Sequence, residues 1–238
     1  MPKITDHAGM RIGYLQKTSL IEYPGKISAV VFTQGCNFRC PYCHNPELVD
    51  PSRFTPHLDI PDIFSFLEIR RGRCDAVTIT GGEPCMQAGL LSFIKEVKEM
   101  GYLVKLDTNG SFPEVLLEAI MSGLVDYIAM DVKAPLSRYE EVVRITCDPA
   151  AVEESIGIVM RSGLPYEFRT TMVKGLLNLE DFKAIGCMIK GARNYILQRF
   201  VASKHLDERF AQAGSFSEEE ISSIADILTR LVGRLSVR

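Results

Sequence analysis

The feature that most constrains the fold is the regular alternation of short apolar runs with helical patterns. Runs rich in Val, Ile, Phe and Tyr are predicted as strands, and several are apolar on both faces, as a covered sheet requires. They are Ile27–Thr33, Ala76–Thr80, Tyr102–Thr108, Asp126–Val132, Tyr166–Val173 and Asn194–Val201. Successive βα units predict an α/β fold with a parallel sheet and right-handed crossovers. That sheet is either doubly wound or part of a (βα) barrel.

The segments between these runs carry helix start and stop signals. Glycines that follow helical patterns predict helix ends, and they are Gly101, Gly123, Gly163 and Gly191. Predicted helix starts lie at Pro113, at Asn178 and at Ser217, which forms a capping box with Glu220. The start and stop signals thus predict a single helix between consecutive strands, as in βα units.

The bulk properties limit the function. The chain has 238 residues and a net charge of -3, which argues against nucleic-acid binding as its main role. The first residues contain no apolar signal-peptide core, and no apolar run approaches the length of a membrane span. We therefore expect a cytoplasmic protein without a membrane partner. We expect one domain over residues 1–238, with a short N-terminal extension at residues 1–26.

Three of the seven cysteines lie in one loop after the first predicted strand, at Cys36, Cys40 and Cys43. Thiolates are soft ligands that select iron–sulfur clusters, zinc or Cu(I). Three thiolates hold three irons of a four-iron cube, and the fourth cysteine of a ferredoxin motif does not follow here. The fourth iron is then open to an external ligand, and an open metal position is typical of a reactive site.

Other interpretations of this loop stay open. A zinc site would add His44 or Cys74 to the three thiolates. Cys40 and Cys43 have the spacing of a dithiol redox motif, and with His44 they match a c-type haem attachment sequence. The cysteines could also be plain buried thiols. The remaining cysteines, Cys74, Cys85, Cys147 and Cys187, are scattered and predict no second cluster.

Unusual residues also follow the next predicted strands where each one ends. Gly81–Pro84 reads Gly-Gly-Glu-Pro, Asp107–Gly110 reads Asp-Thr-Asn-Gly, and Asp131 and Lys133 end the fourth run. Function lies at these strand ends in both fold classes. Two inward carboxylates are costly without a cation or a donor. The alternatives are a tight turn at the glycines and a rim ion pair between Asp131 and Lys133.

The Cys-x3-Cys-x2-Cys spacing, the aromatic Tyr42 before its last cysteine and the Gly-Gly-Glu-Pro segment together resemble the radical S-adenosylmethionine (SAM) superfamily. The resemblance covers essentially the whole chain. It implies the radical SAM fold, a partial (βα)6 TIM-like barrel that is open at one side. It also implies one 4Fe–4S cluster on Cys36, Cys40 and Cys43, which are then the catalytic and metal-binding residues, with SAM on the open iron.

The same resemblance implies the residues that hold the cofactor. They are Tyr42, Gly81, Gly82, Glu83, Asp107, Asp131, Lys133 and Arg169. A monovalent cation is expected near Asp107, Thr108 and Asp131, with Lys133 on the cofactor carboxylate. For Arg169 an ordinary ion pair is an equal alternative.

Four segments resemble activating enzymes for glycyl radical proteins, and they are Gln34–Asn37, Cys43–Pro46, Leu106–Gly110 and Met130–Lys133. Ser19–Gly25 is most similar to activating proteins of anaerobic ribonucleoside-triphosphate reductases. This implies an oxidoreductase that cleaves SAM to a 5′-deoxyadenosyl radical. The radical would act on a glycyl radical enzyme of the anaerobic ribonucleotide reductase or pyruvate formate-lyase type, with flavodoxin or ferredoxin as electron donor.

Two other functions stay open. One is a radical SAM enzyme that acts on a small molecule in cofactor biosynthesis, and the other is a non-catalytic iron–sulfur or zinc-binding module. Gln198 on the sixth strand is a candidate for the adenine, and a core-edge glutamine is equally consistent. His205, just past that strand, is a weaker candidate for the ribose, because lone surface histidines are common. The polar segment between Val201 and Ser217, which includes Lys204, is expected to cover the site or contact the partner, although its polar character is equally typical of a solvated loop.

Overall fold

The computed structural model describes residues 7–202 and 205–238. Within these residues the chain forms eight strands and eight α-helices. The strands are β1 Ile12–Ser19, β2 Ser28–Thr33, β3 Ala76–Gly81, β4 Leu103–Thr108, β5 Tyr127–Asp131, β6 Tyr166–Met172, β7 Tyr195–Arg199 and β8 Leu235–Val237. The helices are α1 Pro46–Val49, α2 Ile60–Arg70, α3 Leu90–Glu99, α4 Pro113–Met121, α5 Tyr139–Val143, α6 Pro149–Arg161, α7 Leu179–Met188 and α8 Glu218–Leu228.

The six predicted strands are confirmed as β2 to β7, with ends that differ by one or two residues. Two strands were missed. β1 runs antiparallel to β2, with Leu15 opposite Val31, so the predicted N-terminal extension contributes a strand to the sheet. β8 pairs in parallel with β7 through Leu235 opposite Tyr195. Only the two end residues of β1 are buried, and β8 has three residues, so neither carries a strong apolar pattern.

The sheet order follows the chain from β1 to β8. A doubly wound sheet reverses its strand order at a switch point. The sequential order seen here is instead that of a (βα) barrel. β2, β3 and β4 pair in parallel, as do β6, β7 and β8. The predicted α/β class with a parallel barrel-type sheet is therefore confirmed.

The chain forms two compact units. Unit 1 comprises the residues up to Asn37 together with Glu47–Thr108 and Glu114–Ile128, and unit 2 comprises Phe38–Pro46, Asn109–Pro113 and Ala129–Arg238. In unit 1 the apolar face of α3, formed by Phe93, Ile94 and Val97, is completely buried. Each such side chain contributes about 1.5–3 kcal/mol of hydrophobic stabilisation.

In unit 2 the helix starts predicted at Asn178 and Ser217 are confirmed. Asn178 and Asp181 form a reciprocal capping box at the start of α7, and Ser217 and Glu220 form another at the start of α8. Gly186 allows α7 to approach α8, because a Cβ there would lie 2.5 Å from Leu228 Cδ2. Among the described residues, no helix is both long enough and apolar enough to cross a bilayer.

Candidate active site

The cysteine loop continues into unit 2, where Cys40 and Tyr42 are buried and Cys43 is partly exposed. The loop is fixed by backbone hydrogen bonds, because the Cys43 N–H donates to the Cys40 carbonyl at 3.0 Å and the Arg39 N–H donates to the Val143 carbonyl at 2.9 Å. Burial raises the pKa of the Cys40 thiol to about 11, although nearby Lys133 opposes the shift. Metal coordination would deprotonate this thiol outright, so the donor set fits a cationic cluster.

Tyr42 supports the same fit. Its hydroxyl is buried and has no hydrogen-bond partner among the described residues. Burial raises the pKa of Tyr42 well above its ordinary value, and the neighbouring Cys40 adds to the shift. A buried hydroxyl without a partner is rare in folded proteins, and it indicates where a polar group of an absent ligand would lie.

A segment that we call the strap, residues 205–210, lies on this loop. The Leu206 N–H donates to the Cys43 carbonyl at 3.2 Å, and the Asp207 N–H donates to the Pro41 carbonyl at 3.0 Å. The Asp207 carboxylate pairs with Arg144 at 2.5 Å. The polar segment expected to cover the site thus packs against the cysteine loop, whereas its Lys204 lies outside the described residues.

The sequence left open that His205 is a surface histidine, and the structure shows that this is wrong. His205 is buried, stacks on Phe200 with ring centroids 4.8 Å apart, and lies 4.9 Å from the His44 ring. Burial lowers the pKa of His44, and His205 and Lys133 lower it further. Gln198 is half-buried on β7, in register with Thr171. A role of either residue toward the adenine or the ribose stays a prediction.

Asp131, Lys133 and Arg169 form a charged triad in unit 2. Lys133 Nζ lies 2.9 Å from Asp131 Oδ2, and Arg169 Nε lies 2.7 Å from Asp131 Oδ1. Burial alone would raise the pKa of Asp131, but Arg169 and Lys133 outweigh it and hold that pKa well below its usual range. The ion pairs considered as alternatives are therefore present. Ammonium and guanidinium groups such as these are also the donors that bind a ligand carboxylate.

The glycine-rich segment lies in unit 1, beside the chain that leads to Cys36. The Gly82 N–H donates to the Thr33 carbonyl at 2.9 Å, and the Glu83 N–H donates to the Gly35 carbonyl at 2.8 Å. A Cβ at Gly82 would lie 2.0 Å from the Gly35 oxygen. Glycine is required here because two backbones meet, and this contact fixes the approach to the first cysteine.

Glu83 is completely buried in unit 1. Its Oε1 accepts hydrogen bonds from the Cys85 N–H at 2.9 Å and from Thr108 Oγ1 at 2.7 Å. Burial, followed by the charge of Glu83, raises the pKa of the Cys85 thiol well above its ordinary value. The carboxylate expected near the cofactor therefore also ties the end of β3 to the end of β4.

Asp107 is also buried, and its carboxylate pairs with the buried ammonium of Lys105. Sequence reasoning missed Lys105. The available signal was a lysine two positions before Asp107 in an otherwise apolar run, which places both side chains on one face of β4. Among the described residues, no three His, Cys, Asp or Glu side chains are grouped as ligands of a single metal ion.

Comparison with known proteins identifies the family. The Radical SAM superfamily model matches residues 30–186. The chain belongs to the radical SAM superfamily. This radical SAM enzyme is 33% identical over 226 residues to a "Putative glycyl-radical enzyme activating enzyme" of Methanocaldococcus jannaschii, with 92% of each chain covered. The family confirms the predicted fold and enzyme class, and with them the expected 4Fe–4S cluster and SAM.

Two further comparisons show the breadth of this radical SAM family. A 7-carboxy-7-deazaguanine synthase of Methanopyrus kandleri is 31% identical over 134 residues, which cover 48% of this chain and 52% of the relative. The solved structure of a domain of a pyruvate-formate lyase-activating enzyme from Bacteroides vulgatus matches with a TM-score of 0.56 at 17% identity. That match covers 69% of this chain and 99% of the domain, and it shows the shared fold.

Proposed function

We propose that this radical SAM enzyme generates a glycyl radical on a partner protein. The single observation that carries the proposal is the similarity to the Methanocaldococcus jannaschii activating enzyme along 92% of both chains. An alignment of that extent includes the cysteine loop, every strand end discussed above and the strap. The segments that resemble glycyl radical activating enzymes in sequence support the same conclusion.

In this proposal Cys36, Cys40 and Cys43 hold the 4Fe–4S cluster. When bound, the cluster and SAM supply a one-electron cleavage that yields methionine and a 5′-deoxyadenosyl radical. The 5′-deoxyadenosine released would carry a hydrogen atom from a glycine Cα of the partner, which would keep the unpaired electron. The electron comes from a reduced flavodoxin or ferredoxin.

The protein's own residues bind and orient the cofactor. Lys133 binds the SAM carboxylate, and the low pKa of Asp131 keeps this carboxylate charged against Lys133 and Arg169 at neutral pH. Gly81, Gly82 and Glu83 receive the methionyl ammonium. Tyr42 supplies a buried hydroxyl, and the strap excludes water from the cysteine loop.

The partner is a glycyl radical enzyme of the anaerobic ribonucleotide reductase or pyruvate formate-lyase type, and the reaction takes place in the cytoplasm. The contact is transient in this proposal, because an activator leaves after it has installed one radical. An enzyme that meets a large partner briefly needs an interface at the weak end of the protein–protein range.

The test is direct. The reconstituted, reduced enzyme is mixed anaerobically with SAM and each candidate glycyl radical protein from the same genome, and electron paramagnetic resonance is recorded. A carbon-centred glycyl signal on one candidate supports the proposal, and the glycine-to-alanine variant of that candidate is the matched control. Silence from every candidate, while 5′-deoxyadenosine still forms with a small metabolite, would refute it.

That last outcome belongs to a second candidate function. The 31% identity to a 7-carboxy-7-deazaguanine synthase favours a radical SAM enzyme with a small-molecule substrate. The match covers only 48% of this chain, so it supports the shared core chemistry more than a shared substrate. Turnover of a metabolite without any protein partner would establish this alternative.

A further inference from the structure

The peptide unit between Val132 and Lys133 is held at both of its polar ends by side-chain hydroxyls of unit 2. Thr170 Oγ1 donates to the Val132 carbonyl at 2.7 Å, and the Lys133 N–H donates to the Tyr139 hydroxyl at 3.2 Å. This peptide unit follows directly on β5, which ends at Asp131. Side chains therefore fix the backbone at the point where the strand has ended.

A third hydroxyl completes this arrangement, which we call the hydroxyl clamp and which consists of Tyr139, Thr170 and Tyr195. Tyr195 on β7 donates to Thr170 Oγ1 on β6 at 2.8 Å. A threonine hydroxyl has one proton and two lone pairs, so Thr170 can accept from Tyr195 and donate to Val132 at the same time. All three side chains of the clamp are buried. Hydrogen bonds shielded from water in this way are stronger than exposed ones.

The clamped peptide sets the direction in which the Lys133 side chain leaves the backbone. Lys133 Nζ lies 2.9 Å from Asp131 Oδ2, and the Lys133 side chain is 17% exposed, so its ammonium is paired and still accessible. A lysine loses up to about 2 kcal/mol of side-chain entropy when it is immobilised. A fixed backbone lowers the cost of holding the ammonium in one place, because binding groups that are already oriented lose less freedom when a ligand arrives.

We propose that Thr170 and Tyr139 are positioning residues that hold Lys133 in the orientation in which it binds the SAM carboxylate. The inference rests on the proposed function, since it deepens the role given there to Lys133. Each of the two residues acts through the Val132–Lys133 peptide unit, and Tyr195 acts one step further away through Thr170.

The first experiment measures the clamp without SAM. Hydrogen exchange of the backbone amides at residues 132–134 is followed by mass spectrometry in the reconstituted protein. In Tyr139→Phe and in Thr170→Val we expect this exchange to accelerate by about 2- to 12-fold, as for the loss of one hydrogen bond. Unchanged exchange in both variants would show that the hydroxyls do not hold this peptide, and it would overturn the proposal.

The second experiment is a double-mutant cycle, read as SAM affinity by anaerobic calorimetry. Thr170→Val keeps the shape of the side chain and removes its hydroxyl, and we expect the dissociation constant for SAM to rise by about 2- to 12-fold. Tyr139→Phe should act in the same range. In a Lys133→Met background neither change should weaken binding further, because residues that act through one another are not additive. Thr170→Ser retains the hydroxyl and should bind SAM as the wild type does.

Tyr166→Phe is the matched control for a merely structural hydroxyl. Tyr166 is buried at the first position of β6, the strand that carries Thr170, and its hydroxyl accepts a hydrogen bond from the Arg193 N–H at 3.0 Å. Its loss should lower the unfolding midpoint about as much as the clamp variants do. SAM affinity should stay unchanged, because this hydroxyl holds a different peptide unit. An equal loss of affinity in Tyr166→Phe would show a general effect on the fold and refute the positioning role.

The cycle also separates this inference from the proposed function. Additive losses, with Lys133→Met itself weakening SAM binding, would refute the positioning role alone. Unchanged affinity in Lys133→Met would refute the proposed role of Lys133, and the inference with it. If Thr170→Val does not fold, Tyr139→Phe completes the same cycle.

Discussion

At the scale of single residues, the proposed cofactor site is held together by ion pairs around Asp131. Asp131 lies between Lys133 and Arg169, and its pKa stays low in spite of burial because both cations are close. The site is therefore already charged before a ligand arrives. Such preorganisation reduces the cost of binding an anionic group. Lys133 and Arg169 both neutralise Asp131, and in the proposal Lys133 also binds the ligand.

Replacement of Lys133 tests this arrangement. Lys133→Met should retain the iron content of the reconstituted protein, because the thiolates are unchanged. SAM binding should weaken by about 1.5–3 kcal/mol, the range for a hydrogen bond to a charged group. The measurement is anaerobic calorimetry with SAM.

Lys174 provides the matched control for that experiment. It pairs with Glu220 at 2.8 Å in the same unit, and both side chains are largely exposed. Lys174→Met should leave SAM affinity unchanged. Unchanged affinity in Lys133→Met as well would show that Lys133 is only an ion-pair partner of Asp131.

The sequence predicted part of this site and missed part. The cysteines and the carboxylates at strand ends were visible because they interrupt apolar runs in a regular way. Lys105 was missed, because one lysine in a strand normally points to solvent and only the packing shows that it is buried. The inward use of Glu83 was also hidden, since its bond to Thr108 joins residues 25 positions apart.

At the scale of elements, helices and strands that depend on neighbouring residues were predictable, and contacts between distant segments were not. β2 to β7 were predictable because each is a dense apolar run, and the capping boxes at Asn178 and Ser217 depend only on neighbouring residues. β1 and β8 depend on pairing with distant strands. The docking of the strap on the cysteine loop likewise joins segments far apart in sequence, and no local pattern predicts it.

The strap should protect the cysteine loop from solvent. Arg144 joins it to the end of α5 through Asp207, and its guanidinium lies 5.5 Å from the Phe210 ring. Arg144→Met removes this link, so the strap should open roughly 2- to 5-fold more often. We expect faster bleaching of the reconstituted cluster in air by about the same factor, measured by visible absorption.

Arg209 is a control within the strap itself. It pairs with the same carboxylate at 2.7 Å, but it is 81% exposed and only two residues away from Asp207. Arg209→Met should not change the bleaching rate, because no link to another element is lost. Equal rates for the Arg144 and Arg209 variants would mean that the strap does not shield the loop.

At the scale of the whole molecule, the cysteines divide into two chemical groups, none of them in a disulfide. A ligand must be a thiolate. The Cys74 Sγ donates to the carbonyls of Ile27 and Ala76, both at 3.3 Å, so it is a satisfied thiol. Cys85 lies beside Glu83, whose negative charge raises the pKa of this thiol in addition to burial, whereas at Cys40 the positive charge of Lys133 opposes the effect of burial. Cys187 is exposed and far along the chain, on α7.

Single substitutions across the chain should reproduce this division. Alanine at Cys36, Cys40 or Cys43 should abolish the brown chromophore and the formation of 5′-deoxyadenosine. Alanine at Cys74 or Cys85 should cost about 1 kcal/mol of folding stability and keep the full iron content, and serine at Cys147 or Cys187 should change neither. Iron and sulfide are quantified after anaerobic reconstitution, and circular dichroism confirms that each variant is folded. A folded Cys74 or Cys85 variant that loses iron as completely as the loop variants would show a fourth protein ligand, and the open iron position on which SAM cleavage depends would then be closed.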